Sequence, residues 1–200
     1  NYISPSFNTI SASGPNGAMP HYKVNNKTNR KIKINDIYLC DSGGQYHYGT
    51  TDVTRTICFC KQSQRIKNIF TKVLKGHIGV ATYKLKKNTT GKQLDIVARF
   101  ALKKSGLDYA HGTGHGVGYF LNVHEGPQAI SKINNIQLKE GMILSNEPGY
   151  YEFNKFGIRI ENLVFIKKYN NKLRFQNLTF VPIEKDLINF KLLNQREKKY

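Results

Sequence analysis

The chain has 200 residues and carries 31 Lys and Arg against 13 Asp and Glu, a formal net charge of +18. This is the length of one domain with room for a sizeable core, and no apolar run is long enough to cross a bilayer. The first ten residues lack the basic and apolar regions of a secretory signal. We therefore expect a soluble cytoplasmic protein with no membrane association, and its three cysteines, which lack CxxC spacing, should be reduced thiols.

The positive charge is spread along the chain rather than concentrated in one segment. Lysine and asparagine crowd three stretches, VNNKTNRKIKIND, KLKKNTTGK and IKKYNNKLR, which are typical of turns and solvated strand edges. The aromatic residues are not interleaved with arginine as a base-stacking surface requires. We expect a generally basic surface and no specific nucleic-acid partner.

The first 105 residues predict a pair of strands followed by two helices. Residues 37–41 and 52–60 are rich in β-branched and aromatic side chains, and a glycine-containing loop joins them. Between 61 and 84 the apolar positions recur at helical spacing, and Thr89 or Thr90 precedes a second run of this kind that includes Leu94 and Phe100.

After Gly106 the pattern returns to that of strands. We predict them within 115–126, 142–151, 157–168 and 172–183, with a short charged helix or tail from Lys185. No linker, repeat or low-complexity block divides the chain, so one mostly antiparallel α+β domain is expected.

Four of the few carboxylates interrupt apolar, strand-like runs. They are Asp41, Asp52, Glu147 and Glu161. A buried carboxylate persists only when it is paired, hydrogen-bonded or bound to a cation. Ion pairs with Arg55 or Arg159 would account for any one of them, but four together with a glycine-flanked histidine favour a site for divalent cations.

That histidine belongs to HGTGHGVG, residues 111–118. His115 lies between Gly114 and Gly116, which add no bulk and allow unusual backbone dihedral angles, so its ring could approach a metal closely, with His111 nearby for a substrate. The stretch does not fit the glycine pattern of a phosphate-binding loop. In the strand predicted around Glu161, Arg159 is two residues away and should share its face, where it would support that ligand, while Ile158 and Ile160 point to the core.

Four motifs carry a resemblance to a known family. They are DSGGQYHYGTTDVTRT, HGTGHGVGYFLNVHEGP, EGMILSNEPGYY and FGIRIEN, in that order. Residues 7–166 resemble the catalytic domain of the Xaa-Pro aminopeptidases (aminopeptidase P), closest to the eukaryotic cytosolic type, in the pita-bread metallopeptidase family that includes methionine aminopeptidase and prolidase. The resemblance implies an α+β pita-bread fold, a mostly antiparallel curved sheet with helices on its outer face.

The resemblance also implies a set of site residues. The metal ligands would be Asp41, Asp52, His115, Glu147 and Glu161, with Asp52 and Glu161 bridging two divalent ions. Asp41 would complete the ligand set of one ion, and His115 with Glu147 would complete that of the other. The substrate-binding residues would be His21, His111 and His124, and the catalytic ones His124, Glu147 and His111. Manganese is the expected metal, with cobalt or zinc as alternatives.

The implied activity is removal of the N-terminal residue from peptides with proline in second position, by attack of a hydroxide that bridges the two metals. Two alternatives remain: a prolidase-type dipeptidase on the same scaffold, and a non-catalytic binding module.

We expect residues 1–184 to form the catalytic domain and 185–200 a tail. Because the chain starts near the first strand of the implied fold, the fold's amino-terminal helices are missing from it, and we also expect amino-terminal domains in the remainder of its polypeptide. A homodimer and a second, vacuolar compartment stay open.

Overall fold

The computed structural model of this chain describes residues 1–120 and 122–200. Its two helices are α1, Gln64–Ala81, and α2, Gly91–Lys103. The strands within these residues are β1 Tyr2–Pro5, β2 Ile10–Ser13, β3 Ile37–Ser42, β4 Gly44–Tyr46, β5 Gly49–Thr50, β6 Val53–Cys58, β7 Gly114–His115, β8 Ala129–Ile130, β9 Ile143–Asn146, β10 Gly149–Glu152, β11 Phe156–Arg159, β12 Asn162–Tyr169 and β13 Lys172–Asn177.

All strand pairs in the described residues are antiparallel, and two three-stranded sheets carry most of the pairing. In one sheet β3 lies between β2 and β6, and in the other β12 lies between β13 and β9. Smaller pairings join β10 to β11, β7 to β8, and β4 to both β1 and β5. The predicted α+β class with antiparallel strands is confirmed.

Both predicted helices form, and each starts at a capping residue. The Ser63 hydroxyl accepts a hydrogen bond from the Ile66 amide at the start of α1, and the Gln93 side chain accepts one from the Thr90 amide at the start of α2. The helices cross closely, because Gly76 of α1 packs on the α2 backbone with no room for a Cβ atom. Neither described helix is both long and apolar enough to cross a membrane.

The core forms on the inner faces of these helices. Phe70 and Val73 of α1 pack with Ile158 and Ile160, and all four side chains are fully buried. A second cluster joins α2 to β9 and β12 and includes the fully buried Leu94 and Leu144. The prediction that Ile158 and Ile160 point to the core is confirmed, and the residues that alternate with them face a cavity on the other side.

All four strands predicted after Gly106 are wrong in part. The one predicted for 142–151 is interrupted at Glu147 and Pro148, between β9 and β10. In 115–126 only His115 belongs to a strand, because Gly118 donates to the Asn122 carbonyl and the segment closes on itself; Leu121 lies outside the described residues. The strand predicted for 157–168 is interrupted at Ile160 and Glu161, where the chain passes from β11 to β12. The last strand ends at Asn177 rather than reaching 183.

The final residues fold back onto α1. Instead of one helix they form three short 3₁₀ turns, at Lys185–Leu187, Phe190–Leu192 and Glu197–Lys199. Leu187 and Leu193 are buried in the cluster around α1, and Lys75 of that helix lies 2.6 Å from a Glu197 carboxylate oxygen. The segment therefore packs on the domain, while its assignment as a separate tail stays a prediction. The three cysteines are free thiols, and each is partly buried.

Candidate metal centre

The first two predicted ligands come from the sheet formed by β2, β3 and β6. Asp41 lies in β3 opposite Thr54 of β6, and Asp52 directly precedes β6. Both aspartates are buried, with 8% and 5% of their surface exposed. They line the same cavity, as the predicted strand pair required.

His115 comes from β7 and is fixed by the residues around it. Its backbone amide donates to the Ser145 hydroxyl at 2.9 Å, and its Nδ1 lies 2.9 Å from the Gly116 carbonyl, to which it donates. The other ring nitrogen, Nε2, lies 3.4 Å from both Asp52 Oδ2 and Glu147 Oε1. A metal-binding histidine typically has this arrangement, with one nitrogen held by the backbone and the other left for the ion.

The glycines beside His115 are needed for backbone packing rather than for unusual dihedral angles. Gly114 lies on the Ser145 carbonyl and Gly116 on the Glu125 carbonyl, with no space for a Cβ atom at either position. Neither glycine has a left-handed φ. The site thus uses the low bulk of these glycines, and the freedom in dihedral angles that glycine allows is not used in φ here. Close packing of β7 on β9 brings His115 next to Glu147.

The two glutamates follow strands of the second half of the chain. Glu147 comes directly after β9; its backbone amide donates to the Thr113 carbonyl at 2.8 Å, and its Oε1 accepts from the Ser145 hydroxyl at 2.9 Å. Glu161 lies between β11 and β12 and is 1% exposed. Its Oε2 accepts a hydrogen bond of 2.6 Å from the hydroxyl of Thr54, so β6 holds this side chain.

Together with His124, these five side chains converge in three overlapping groups, and within each group one potential ligand atom per residue lies within 4.8 Å of the others. The groups are Asp41, Asp52 and Glu161; His115, Glu147 and Glu161; and Asp52, His115 and His124. Asp52, His115 and Glu161 each belong to two groups. Of these three, the carboxylates have two oxygen atoms each and could bridge two ions, whereas the imidazole has one nitrogen left for a metal.

The electrostatics of the cluster are those of a site built for cations. Burial raises the pKa of Glu147 to about 7, and burial with the neighbouring Glu147, Asp52 and Asp41 charges raises the pKa of Glu161 well above its usual value. Burial also raises the pKa of Asp41, despite Arg159 beside it. Asp41 Oδ1 is buried without a hydrogen-bond partner among the described residues. Oxygen ligands with one imidazole suit a pair of divalent transition-metal ions, so the donor set fits the predicted group.

Arg159 supports Asp41 rather than Glu161. Its Nη2 donates to Asp41 Oδ2 at 2.6 Å and its Nε to the Thr54 hydroxyl at 3.0 Å. The side chain is 3% exposed and also donates to the Tyr151 hydroxyl at 2.7 Å. The predicted direct support of Glu161 is therefore wrong, because Thr54 lies between the two.

The hydrogen-bond network fixes the protonation of His111. Because the Tyr151 hydroxyl accepts from Arg159, its own proton goes to His111 Nε2, 2.9 Å away. His111 Nδ1 then carries the ring proton and donates to the Gly112 carbonyl at 2.6 Å. Burial lowers the pKa of His111 to about 4, which keeps the ring neutral. Neither ring nitrogen has an N–H free to donate to a substrate.

The other two predicted substrate residues are free to act in the cavity. This cavity has a volume of about 680 Å³, and His21, His111 and His124 line it together with the five acid and imidazole ligands. The His124 ring packs edge-on against His115, with 4.0 Å between centroids, and makes no hydrogen bond to another described residue. The structure thus brings all eight predicted site residues to one cavity.

Sequence analysis missed the residues that orient this set. Tyr151, Thr54, Ser145 and Thr113 were not identified, because a lone hydroxyl in a strand carries no spacing signal. Thr54, Ser145 and Thr113 each lie within two residues of a predicted ligand or substrate histidine. Tyr151 belongs to the motif NEPGYY, which contains Glu147. Proximity to those motifs is the one signal that could have indicated them.

We expect the metal-free protein to lose stability as the pH rises. The folded-state pKa of Glu147, about 7, lies above its unfolded value of about 4.5, so the folded protein holds a proton that the unfolded chain releases. This contribution to stability is present below about pH 4.5 and is lost as the pH rises to about 7. Added Mn²⁺ should therefore raise the melting temperature more at about pH 8 than at about pH 5, because ligands must lose their protons to bind it.

Glu147→Gln is the matched variant for this measurement, since it removes the titrating group and keeps the volume. Thermal unfolding of both proteins after chelation should show a smaller pH dependence for the variant. Groups away from the cluster contribute equally to both, and Glu161, whose pKa the Glu147 charge raises, changes in the same direction. The prediction would be contradicted if the melting temperatures of the wild type and the variant changed equally with pH between about pH 5 and 7.

Comparison with known proteins agrees with this geometry. The model of metallopeptidase family M24 matches residues 1–168. The chain is 52% identical over 206 residues to a probable Xaa-Pro aminopeptidase P of Laccaria bicolor, covering 98% of this chain and 32% of the relative. It is 49% identical over 205 residues to Xaa-Pro aminopeptidase 1 of Dictyostelium discoideum, covering 98% and 32%. The chain thus spans about a third of the length of these relatives.

Solved structures show the same similarity. The X-prolyl aminopeptidase of Caenorhabditis elegans, described as a cytosolic enzyme with a di-nuclear active site, superposes with a TM-score of 0.92 at 44% identity, over 98% of this chain and 33% of that one. The prolidase of Pyrococcus furiosus gives a TM-score of 0.79 at 33% identity, over 89% and 50%. The predicted pita-bread fold is confirmed, and the chain belongs to metallopeptidase family M24.

Proposed function

We propose that the protein containing this chain is a metal-dependent exopeptidase that removes the N-terminal residue from peptides with proline in second position. The observation that carries this proposal is the convergence of four carboxylates and His115 in one cavity, with ligand atoms within 4.8 Å of one another in each group. The names of relatives that match nearly the whole chain support the choice of substrate.

Asp41, Asp52 and Glu161 would hold one divalent ion, and His115, Glu147 and the two shared carboxylates the other. Bound ions would polarise the scissile carbonyl and supply a nucleophile from water at neutral pH. We propose manganese, with cobalt or zinc as alternatives, because a carboxylate-rich site with one imidazole accepts all three.

Glu147 is the residue that we propose moves the proton. Its carboxylate lies at the cavity, where the Ser145 hydroxyl orients it. A carboxylate in this position can take a proton from the attacking water and deliver it to the prolyl nitrogen that leaves. Because this nitrogen is a tertiary amide in the substrate, it must gain a proton before it departs as an amine.

The three cavity histidines take different parts in substrate binding. His124 is the proposed donor to the oxygen that becomes negative during attack, a contribution worth about 10²–10³ in rate. His111 has both ring nitrogens occupied, so it would have to exchange a partner before donating to substrate. We therefore keep His111 and His21 as substrate-binding residues and favour His124 as the catalytic histidine.

The test is hydrolysis of matched peptides by the intact, metal-loaded protein, combined with metal analysis. We expect cleavage of an Xaa-Pro-Xaa tripeptide, little cleavage of the same tripeptide with alanine in second position, and about two metal ions per chain. Exclusive cleavage of the Xaa-Pro dipeptide would favour the prolidase alternative, which the similarity to the Pyrococcus furiosus prolidase keeps open. A protein without metal or cleavage would be a binding module.

The cellular context is also a proposal. We place the protein in the cytoplasm, because the similar Caenorhabditis elegans structure is described as that of a cytosolic enzyme. A homodimer and contacts with amino-terminal domains in the remainder of its own polypeptide stay predictions. So does the division into a catalytic domain of residues 1–184 and a tail of 185–200.

A further inference from the structure

Arg99 of α2 is buried, and its guanidinium is directed at the segment that carries the cavity histidines. Its side chain is 2% exposed, and Nε donates to Asp95 Oδ2 at 2.8 Å. Nη1 donates to Asp108 Oδ1 at 2.7 Å and to the Tyr109 carbonyl at 2.6 Å. Nη2 donates to the His111 carbonyl at 2.6 Å. One rigid, planar group therefore fixes two carbonyls that lie two residues apart, directly before the glycine-rich segment.

Asp95, the partner of Arg99, adds a second attachment to the same segment. Its Oδ1 accepts a hydrogen bond of 2.7 Å from the Thr113 hydroxyl. That hydroxyl also lies 2.5 Å from the Tyr109 hydroxyl, so both ends of the segment 109–113 are tied together. The pair on α2 thus holds the backbone on either side of His111 from behind the cavity.

The guanidinium also stacks on an aromatic ring in this segment. Its central carbon lies 3.8 Å from the centroid of the Tyr109 ring, and that ring packs 4.9 Å from the His111 ring. The imidazole of His111 is therefore fixed from two sides, by the Arg99–Tyr109 stack behind it and by the Tyr151 hydroxyl in front.

Stability alone gives little reason for such an ion pair on an apolar helix face. Buried ion pairs contribute little net free energy of folding, because desolvation offsets their attraction, and a hydrophobic pair of similar size commonly serves as well. Here the charged pair replaces apolar side chains among Leu94, Ala98 and Leu102, all fully buried. The charged pair makes directed hydrogen bonds to a segment that lines the cavity. An apolar pair could not make them.

We propose that Arg99, with Asp95, is a positioning residue for the hydrolytic site, which sets the orientation of His111 by fixing the backbone from Tyr109 to Thr113. The inference rests on the peptidase function proposed above. Arg99 itself does not touch the cavity and acts through His111.

A double-mutant cycle in the intact, metal-loaded protein tests this. Arg99→Met should lower kcat/KM for the Xaa-Pro tripeptide by about 10–100-fold, with metal content unchanged. In a His111→Ala background, the decrease in kcat/KM caused by Arg99→Met should be at least about tenfold smaller, because the residue through which Arg99 acts is already gone. A purely structural role would lower the melting temperature, leave the rate of folded protein unchanged and combine additively with His111→Ala.

Two comparisons complete the experiment. Arg30→Met removes another arginine paired with an aspartate, Asp36, whose contacts lie away from the cavity, and should leave kcat/KM unchanged. Thr113→Val should lower kcat/KM while Thr113→Ser, which keeps the hydroxyl, should not; this pair carries the test if Arg99→Met does not fold. Equal rates for the two Thr113 variants, or additive effects of Arg99→Met and His111→Ala, would overturn the inference.

The failure of this inference is distinct from the failure of the proposed function. A wild-type protein that cleaves no Xaa-Pro peptide would remove the peptidase function and the inference with it. A wild-type protein that cleaves the tripeptide, with variants of Arg99 and Thr113 that retain its rate, would remove the inference alone.

Discussion

Replacing Asp52 or His115 with alanine is expected to abolish both cleavage of an Xaa-Pro tripeptide and binding of the metal pair. Asp52 lies in two of the three groups of potential ligands, so in the proposed site its loss would remove a donor from both ions at once. His115 is the one imidazole whose free nitrogen faces both Asp52 and Glu147, at 3.4 Å. Metal content by elemental analysis and peptide hydrolysis, measured on the same sample, are the readouts, and the activity should fall to background.

Matched substitutions outside the cavity control for general damage. Asp186→Ala and His47→Ala remove the same residue types from exposed positions, and both variants should keep the wild-type rate and metal content. If either cavity variant retained full activity, the proposed site would be wrong. If a variant lost activity while it kept two metals, its role would lie in substrate binding rather than in metal binding.

Arg55→Met should destabilise the folded protein by about 3 kcal/mol or more, because it leaves several buried oxygen atoms without donors. Arg55 is 8% exposed and donates to the carbonyls of Thr54 and Glu161 and to the Asn162 side chain. It also donates to the carbonyls at 181 and 182, where the chain leaves the last sheet. Urea unfolding of the metal-free protein, followed by circular dichroism, measures the change in free energy.

Arg174→Met is the control for the loss of an arginine. Arg174 is exposed on β13 and stacks on Tyr169, so the change in unfolding free energy should stay within about 0.5 kcal/mol. Arg55→Lys should also destabilise the protein, since a single ammonium cannot reach all the acceptors that lie around the edge of the planar guanidinium. The prediction would be contradicted if Arg55→Met changed the free energy of unfolding by no more than Arg174→Met does.

The positions of the ligands could be predicted from sequence because their chemistry conflicts with their surroundings. A carboxylate such as Asp41 or Glu161 in an apolar strand needs a partner, and that requirement is visible in the residues alone. Alternation along a strand also predicted correctly that Ile158 and Ile160 face the core. The fold class followed from the order of strand-like and helical runs, and the resemblance supplied the pita-bread architecture.

What could not be predicted depends on which atoms meet across the fold. Alternation assigns Arg159 and Glu161 to one face, but Thr54 from a strand more than a hundred residues earlier intervenes, and no local pattern contains that contact. Residues 115–126 were predicted as a strand, but within them the Gly118 amide donates to the Asn122 carbonyl, and no pattern in the sequence contains that contact. Asp95 and Arg99 carried no such signal, because the apolar run predicted for that helix included Phe100, which is exposed, and did not mark their side as the buried one.

The attachment of Glu161 to β6 has a consequence for assembly of the protein. Thr54 and Arg55 follow Asp52 by two and three positions, and both hold Glu161, one by its carboxylate and one by its carbonyl. A slip of this strand by one residue would invert its faces and displace both shared carboxylates together. In the proposed site, cation binding would therefore depend on the register of β6, because only a correctly aligned strand would bring the two carboxylates together.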